Sequence, residues 1–246
     1  MNTRRTAILK YLSRRGQAKV HELAEFADVS VVTMRQDLAV LEQEGFINRF
    51  HGGATLSESE NISHRMSINY EKKRDIAMKA AELVESGDTI LLESSSANAL
   101  LARELAGRRI QVLSVNAFVA RQIRPGDAAQ VVMLGGLYQP ESESLVGTLA
   151  KQCIESTYFS KAFLGIDGFT PDFGFTNRDM MRAEVATLIV SRCPQSYILA
   201  DSSKFGHTGI ARVCGLDDLA GVITNADLHD DYKSILRQGS AQLFLT

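Results

Sequence analysis

Cysteine is scarce in this 246-residue chain, and Cys153, Cys193 and Cys214 stand too far apart for a CxxC pair or a disulfide framework. They are expected as reduced, mostly buried thiols. Long apolar runs are missing too: stretches such as Thr89 to Leu92 and Val131 to Leu134 fall far short of the ~18 residues a membrane span needs. Charges interrupt every apolar stretch of the opening MNTRRTAILKYLSRRG, which leaves no continuous hydrophobic region and no small-residue cleavage site. The expected location is therefore the cytoplasm. There is no Walker loop, no GxGxxG after a strand, no HExxH and no GxSxG elbow. His21, His51, His64, His207 and His229 are scattered, so neither a metal nor a cofactor is expected.

What is present is a globular composition, with 45% hydrophobic and 23% charged residues, in a length that suits one large domain or two smaller ones. The net charge of −2 conceals an asymmetry. Residues 1–56 carry eight lysines and arginines against six acids, net +2, whereas the remainder carries nineteen against twenty-three, net −4. Thr55 to His64 is polar and lacks helical periodicity, as an exposed linker would be. The expected division is a basic module over 1–56, a linker over 57–69 and a larger acidic domain over 70–246.

In the first module Ile8, Leu9 and Leu12 repeat at helical spacing and the run stops at Gly16. A second helix fits Val20 to Ala27, with Asp28-Val29-Ser30 as a turn before a third helix, Val31 to Glu44, that Ser30 can cap. Met34, Leu38 and Leu41 form its single apolar stripe. An alternating run, Phe46 to Ala54, closes on a glycine turn. Three short helices and a β-ribbon make a winged helix-turn-helix. In such a unit the second helix of the pair enters the major groove, so the residues opposite the stripe matter most. Val32, Thr33 and Gln36 point away from the core and Arg35 lies at the flank. Gln36 suits adenine, Val32 a thymine methyl, and Arg35 a guanine or a phosphate. Ser30 and Thr33 suit phosphates, and Arg49 and His51 flank the wing. Asp37, acidic and near the core-side edge, is read as a structural partner for a neighbouring cation.

Beyond the linker a long amphipathic helix is expected from about Tyr70 to Glu85. Short apolar runs then alternate with helical stretches, which implies βαβ units and a mostly parallel sheet. Ligands of such sheets sit at the C-terminal ends of the strands. The loops expected there are Ser94-Ser95-Ser96-Ala97-Asn98, Asn116, Gly135-Gly136, Gly165 to Gly168 with Asp167, and Asp201-Ser202-Ser203-Lys204. A serine-rich turn before a helix offers hydroxyls and backbone N–H groups to a phosphate, and Lys204 supplies charge. Gly135 and Gly136 serve equally well for tight packing.

Two segments, Val29 to Gly45 (VSVVTMRQDLAVLEQEG) and Arg49 to Ala54 (RFHGGA), closely match the N-terminal signature of the DeoR family of bacterial transcriptional regulators. The resemblance runs over roughly residues 3 to 245, through Gly87-Asp88-Thr89, Leu134-Gly135-Gly136, Ser144 to Gly147, Ala162 to Gly165, Gly174-Phe175-Thr176 and Ala200 to Gly206. Glu93 and the run from Asn98 to Arg103 are similar to a YciT-like branch. The chain departs from the family at Gln36, where a second basic residue is usual, at Ser95, where a glycine is usual, and at Ala186, where lysine is common.

The resemblance implies an α/β sensor similar to sugar-phosphate isomerases and CoA transferases, and a phosphorylated sugar-like effector. The expected function is a sequence-specific DNA-binding regulator, a repressor of a carbohydrate or related metabolic operon, acting as a homo-oligomer, dimer or tetramer, on double-stranded DNA. An isomerase with a fused DNA-binding head is the rival reading. Its carboxylates would be Glu93, Asp167 and Asp201, which make no recognisable catalytic set.

Overall fold

The computed structural model describes residues 3–43, 46–56 and 62–246, divided into two units, Met1–Tyr70 and Glu71–Thr246.

In the first unit α1 (Thr3–Arg15), β1 (Gln17–Lys19), α2 (Val20–Phe26), α3 (Val31–Gln43), β2 (Ile47–Phe50) and β3 (Gly53–Leu56) follow one another. Ile8 and Leu12 of α1, Leu23 of α2, and Met34, Leu38 and Leu41 of α3 are fully buried together. The apolar stripe of α3 therefore packs as its spacing requires. The wing is a three-stranded sheet in the order β1-β3-β2. Sequence reading finds β2 and β3 but not β1, a tripeptide with only Ala18 turned inward. Both ends of the polar stretch Thr55 to His64 fall in regular elements. Thr55 belongs to β3, paired with Gln17 and donating its hydroxyl to Gly16 O at 2.8 Å. Ile62–Ser67 forms α4, anchored by buried Ile62. Residues 57–61 of that stretch lie outside the described residues.

The second unit opens with α5 (Tyr70–Ala81), β4 (Thr89–Leu92), α6 (Ser96–Leu105), β5 (Gln111–Ser114), α7 (Ala117–Ala120) and β6 (Gln130–Met133). A hairpin, β7 (Leu137–Gln139) and β8 (Ser144–Val146), leads to α8 (Gly147–Glu155) and β9 (Lys161–Leu164). Then come β10 (Gly168–Thr170), β11 (Gly174–Asn177), α9 (Met180–Arg192), β12 (Ser196–Leu199), β13 (Ala211–Cys214), β14 (Gly221–Thr224), α10 (Asp230–Gln238) and β15 (Gln242–Leu245). The helix α5 ends four residues before the expected Glu85. The next N–H groups, of Glu82, Leu83 and Val84, bond three residues back to Lys79, Ala80 and Ala81, a tightened last turn.

Seven parallel strands form the central sheet in the order β15-β14-β12-β9-β4-β5-β6. β12 and β14 are buried at every residue, as strands covered on both faces must be. The chain leaves β4 toward β5 and β6, returns to β9 on the other side of β4, and then proceeds outward to β15. The winding direction thus reverses between β4 and β9, and a topological switch point lies at their C-terminal ends. In a three-stranded antiparallel sheet, β10-β11-β13, the Phe169 and Phe175 rings lie tilted with centroids 4.5 Å apart in the core.

Candidate functional site

The candidate DNA-facing residues are positioned by how α3 is held. Ser30 Oγ accepts the Thr33 N–H at 3.1 Å and lies 2.9 Å from Thr33 Oγ1, closing the first turn of α3. Both hydroxyls are engaged in that cap. Val32, 65% exposed, and the exposed Arg35 and Gln36 lie opposite the buried stripe. Asp37 is buried on the inner edge, where its carboxylate accepts Arg4 Nε at 2.6 Å and Arg5 Nε at 2.9 Å. Arg49, on the wing as expected from the sequence, is tied to α3. Its backbone N–H and Nε donate to the two Glu42 carboxylate oxygens at 3.1 and 2.7 Å, locking β2 to the end of α3. These bonds, the side-chain one first, hold the Glu42 carboxyl below its ordinary value. His51 is exposed at the turn between β2 and β3.

In the second unit the candidate residues fall into three groups. The first straddles the switch point. Glu93, buried at the end of β4, accepts the Gly165 N–H after β9 on Oε2 at 3.1 Å. Ser95 caps α6 by accepting Asn98 N–H at 3.0 Å, and Ser96 is buried as the first residue of that helix. Asn98 is fully buried; its Nδ2 donates to Glu93 O and Phe163 O at 2.8 Å each, while its Oδ1 has no hydrogen-bond partner. The approach of the two loops is close enough that a Cβ at Gly165 would stand 2.2 Å from Ser95 Cβ. Asp167 follows, accepting Arg178 N–H at 3.0 Å, with Arg182 Nη2 at 3.8 Å.

The second group sits at the end of β12. Asp201 is buried, its carboxylate accepts the Ser203 hydroxyl and the Ser203 N–H, and Lys73 Nζ of α5 lies 3.9 Å away. Burial alone would raise the Asp201 carboxyl, but the Lys73 and Lys204 charges and the Ser203 bonds outweigh it, so it lies below its ordinary value. Lys204 is half-buried and Ser203 exposed. The neighbouring Lys72 donates to Ser202 Oγ at 2.9 Å and pairs with Asp227, and Asn225 Nδ2 donates to Lys72 O at 3.1 Å. The first turn of α5 is thereby pinned to the C-terminal edge of β12 and β14. Sequence reading missed Lys73, although a signal exists. Lys73, Ile76, Ala77 and Ala80 share the buried stripe of α5, and a lysine on an apolar stripe needs a buried anion.

The third group is engaged within the fold. Ser94 Oγ lies 2.5 Å from Ser144 Oγ and accepts Asn116 Nδ2 at 2.8 Å; Asn116 also donates to Ser142 O and accepts Val119 N–H. These buried groups tie the ends of β4 and β5 to β8. At Gly136, φ is +154° and a Cβ would meet Ala150 Cβ and the Val146 backbone at 3.0 Å, while one at Gly135 would meet Cys153 and Leu149. The pair is accounted for by packing against α8 and β8. Among the described residues no helix is long and apolar enough to cross a membrane.

Residues 4–60 match the DeoR-like helix-turn-helix domain and residues 68–226 the DeoR C-terminal sensor domain. The chain is 32% identical over 227 residues to the HTH-type transcriptional regulator GolR of Listeria innocua, covering 90% of this chain and 89% of that one. It is 34% identical over 234 residues to the lactose phosphotransferase system repressor of Streptococcus mutans, covering 92% of each. Among solved structures it aligns with ribose 5-phosphate isomerase A of Methanocaldococcus jannaschii at 19% identity and a TM-score of 0.41, covering 56% of this chain and 55% of that one. With a helix-turn-helix unit whose α3 presents Val32, Arg35 and Gln36 outward, joined to a parallel-sheet sensor, the chain belongs to the DeoR family of DNA-binding transcriptional regulators.

Proposed function

We propose that this regulator represses a carbohydrate or related metabolic operon in the cytoplasm, as a homo-oligomer, and that a phosphorylated sugar-like effector bound at the C-terminal edge of the central sheet releases it from DNA. One observation carries the reading: Asp201, a buried carboxylate at the end of β12, with the ammonium of Lys73 beside it and Ser203 and Lys204 on the turn that follows. A sugar phosphate brings a dianion for Lys73 and Lys204 and hydroxyls for Asp201, Asp167 and Asn98 Oδ1. The switch point between β4 and β9 is where ligands of doubly wound sheets bind, which supports a role for Ser95, Ser96, Asn98 and Asp167 at the C-terminal ends of those strands. Ser94, Asn116, Gly135 and Gly136 are assigned to the support of the adjoining loops. The kinship to a lactose phosphotransferase system repressor supports a sugar-linked operon. Reading of the operator belongs to Val32, Arg35 and Gln36, with Ser30, Thr33, Arg49 and His51 placed against the phosphate backbone.

An effector shifts the operator equilibrium only if it binds the free and DNA-bound conformations unequally. The test is a thermal-shift panel of sugar phosphates against their unphosphorylated parents on the wild type and Lys204→Ala, followed by operator release with any ester that binds. A shift with a phosphate ester, absent with the parent sugar and lost on substitution, is the expected result. Equal shifts in both proteins would overturn the assignment of the site, and no shift with any ester would overturn the phosphate chemistry.

A further inference from the structure

We infer that the outer edge of β6 is a contact through which two copies of this chain associate. The inference rests on the oligomeric reading above and names its surface. β6 is the last strand of the seven, and among the described residues it pairs with β5 alone, so one row of its backbone N–H and C=O groups meets no strand. Its sequence, Gln-Val-Val-Met, is that of a parallel strand buried on both faces, as β12 and β14 are. Its burial is not. Val131 is half-buried, Val132 is 38% exposed and Met133 43%, so side chains on both faces of the strand reach the surface.

The apolar surface continues past the strand. Leu137 and Tyr138 of β7 are 60% and 48% exposed. Leu149 of α8, 56% exposed, lies where a Cβ at Gly135 would touch it at 3.5 Å. The edge strand itself is only four residues, but with Leu137, Tyr138 and Leu149 it forms an exposed apolar surface, and such a surface marks a contact site.

Charge identifies that partner. Residues 128–140, from Ala128 to Pro140, contain no Asp, Glu, Lys or Arg, in a chain that is 23% charged. In a two-fold contact each residue near the axis meets its own copy, so any charge there repels itself. A stretch with neither sign suits a contact between identical copies close to their axis, whereas nucleic acid or an acidic partner would demand cations. A two-fold axis normal to the sheet would set β6 antiparallel to its copy and continue one seven-stranded sheet into the other. It would also supply the paired helix-turn-helix units that two operator half-sites need.

The experiment is sedimentation equilibrium of the full chain as wild type, Val132→Lys and Val132→Glu, with circular dichroism and operator binding recorded for each. The expected wild-type mass is a multiple of the single chain. Each variant alone falls to half that mass with its circular dichroism unchanged, and an equimolar mixture of the two recovers it, because Lys now faces Glu across the axis. The mixture separates a lost contact from a misfolded chain. A wild type that sediments as one chain would overturn both the oligomeric reading and the surface. An oligomeric wild type whose mass survives both substitutions would overturn the surface alone.

Discussion

Asp37 of α3 holds two consecutive arginines of α1, Arg4 Nε at 2.6 Å and Arg5 Nε at 2.9 Å. The acid on α3 is therefore turned inward, and it ties α3 to α1. Substituting Asp37→Asn keeps the shape and removes the charge. Because the two cations reach water and can rehydrate, the cost to the first unit is that of charged hydrogen bonds, about 1.5–3 kcal/mol, rather than that of breaking a fully buried pair. Operator affinity should fall with the sequence preference unchanged, as measured by fluorescence anisotropy on operator and scrambled duplexes, because Asp37 is buried against Arg4 and Arg5.

Acid should unfold the protein through its paired carboxylates. Burial opposes the ionised form of Asp37, but its bonds to Arg4 and Arg5 prevail and its carboxyl lies below the ordinary value; Asp201 is lowered likewise against its own burial. A carboxyl lowered by folding contributes stability in full above its unfolded value of about 3.9, and loses it as the pH falls through the folded value. Melting temperature should hold from pH 7 to about 5 and drop below about 4, more gently in Asp201→Asn than in the wild type. Equal slopes would show that Asp201 is not held ionised by its neighbours.

Arg35 and Arg49 look alike in sequence, one on the recognition helix and one on the wing, but the fold separates them. Arg35 is exposed on the groove side, whereas Arg49 is bonded through main chain and side chain to Glu42. Arg35→Ala should cost about 1–3 kcal/mol of discrimination if the side chain reads guanine, or lower the salt slope by about 0.9 if it meets a phosphate. Arg49→Ala should chiefly loosen the wing and lower the melting temperature. Binding titrations across a potassium chloride series separate these effects, and full retention of affinity and slope in Arg35→Ala would count against α3 as the reading helix.

The loops at the switch point should be sensitive to a single methyl group. A Cβ at Gly165 would fall 2.2 Å from Ser95 Cβ, and neither backbone can retreat while Gly165 N–H is bonded to Glu93 and Ser95 caps α6. Gly165→Ala should destabilise the second unit by about 1–3 kcal/mol, the usual cost of overpacking. Ser95→Gly, added to it, should recover part of the loss even though it removes the cap. Chemical denaturation of the two single variants and the double one measures that coupling.

The sequence revealed most where a segment carries its own periodicity. The stripe of Met34, Leu38 and Leu41 located α3 and its outward face, and the apolar runs Thr89 to Leu92 and Val131 to Leu134 located β4 and β6 to within a residue. The elements that escaped are short and depend on partners far along the chain. β1 is three residues that pair with β3 some thirty-five positions later, and β10, β11 and β13 form a sheet only with one another. The site was legible as a set of loops, because a parallel sheet places its ligand at known strand ends. Which residues face a ligand and which face each other was not. Ser94 and Asn116 have the composition of a binding loop but bond to Ser144 and Ser142 of a hairpin the sequence did not announce.

Lys73 is the residue through which occupation of the site should reach the rest of the protein. It lies in the first turn of α5, the helix that begins where the two units divide, and its ammonium stands beside the carboxylate of Asp201 with both side chains under one-tenth exposed. If the proposed effector binds there, its phosphate at Lys204 would compete with Asp201 for that ammonium and so pull on α5. Lys73→Met keeps the length of the side chain and removes the charge. It strands a buried carboxylate, so the second unit should lose about 3 kcal/mol, and Asp201→Asn in the same chain should restore most of it. Stability and signalling then part company. The double variant should fold and bind operator with wild-type affinity, yet a sugar phosphate that releases the wild type from its operator should leave it bound. Anisotropy of labelled operator, titrated with the ester that shifts the wild-type melting temperature, reads this directly. Release of the double variant at the wild-type concentration of ester would mean that the signal leaves the site by another route.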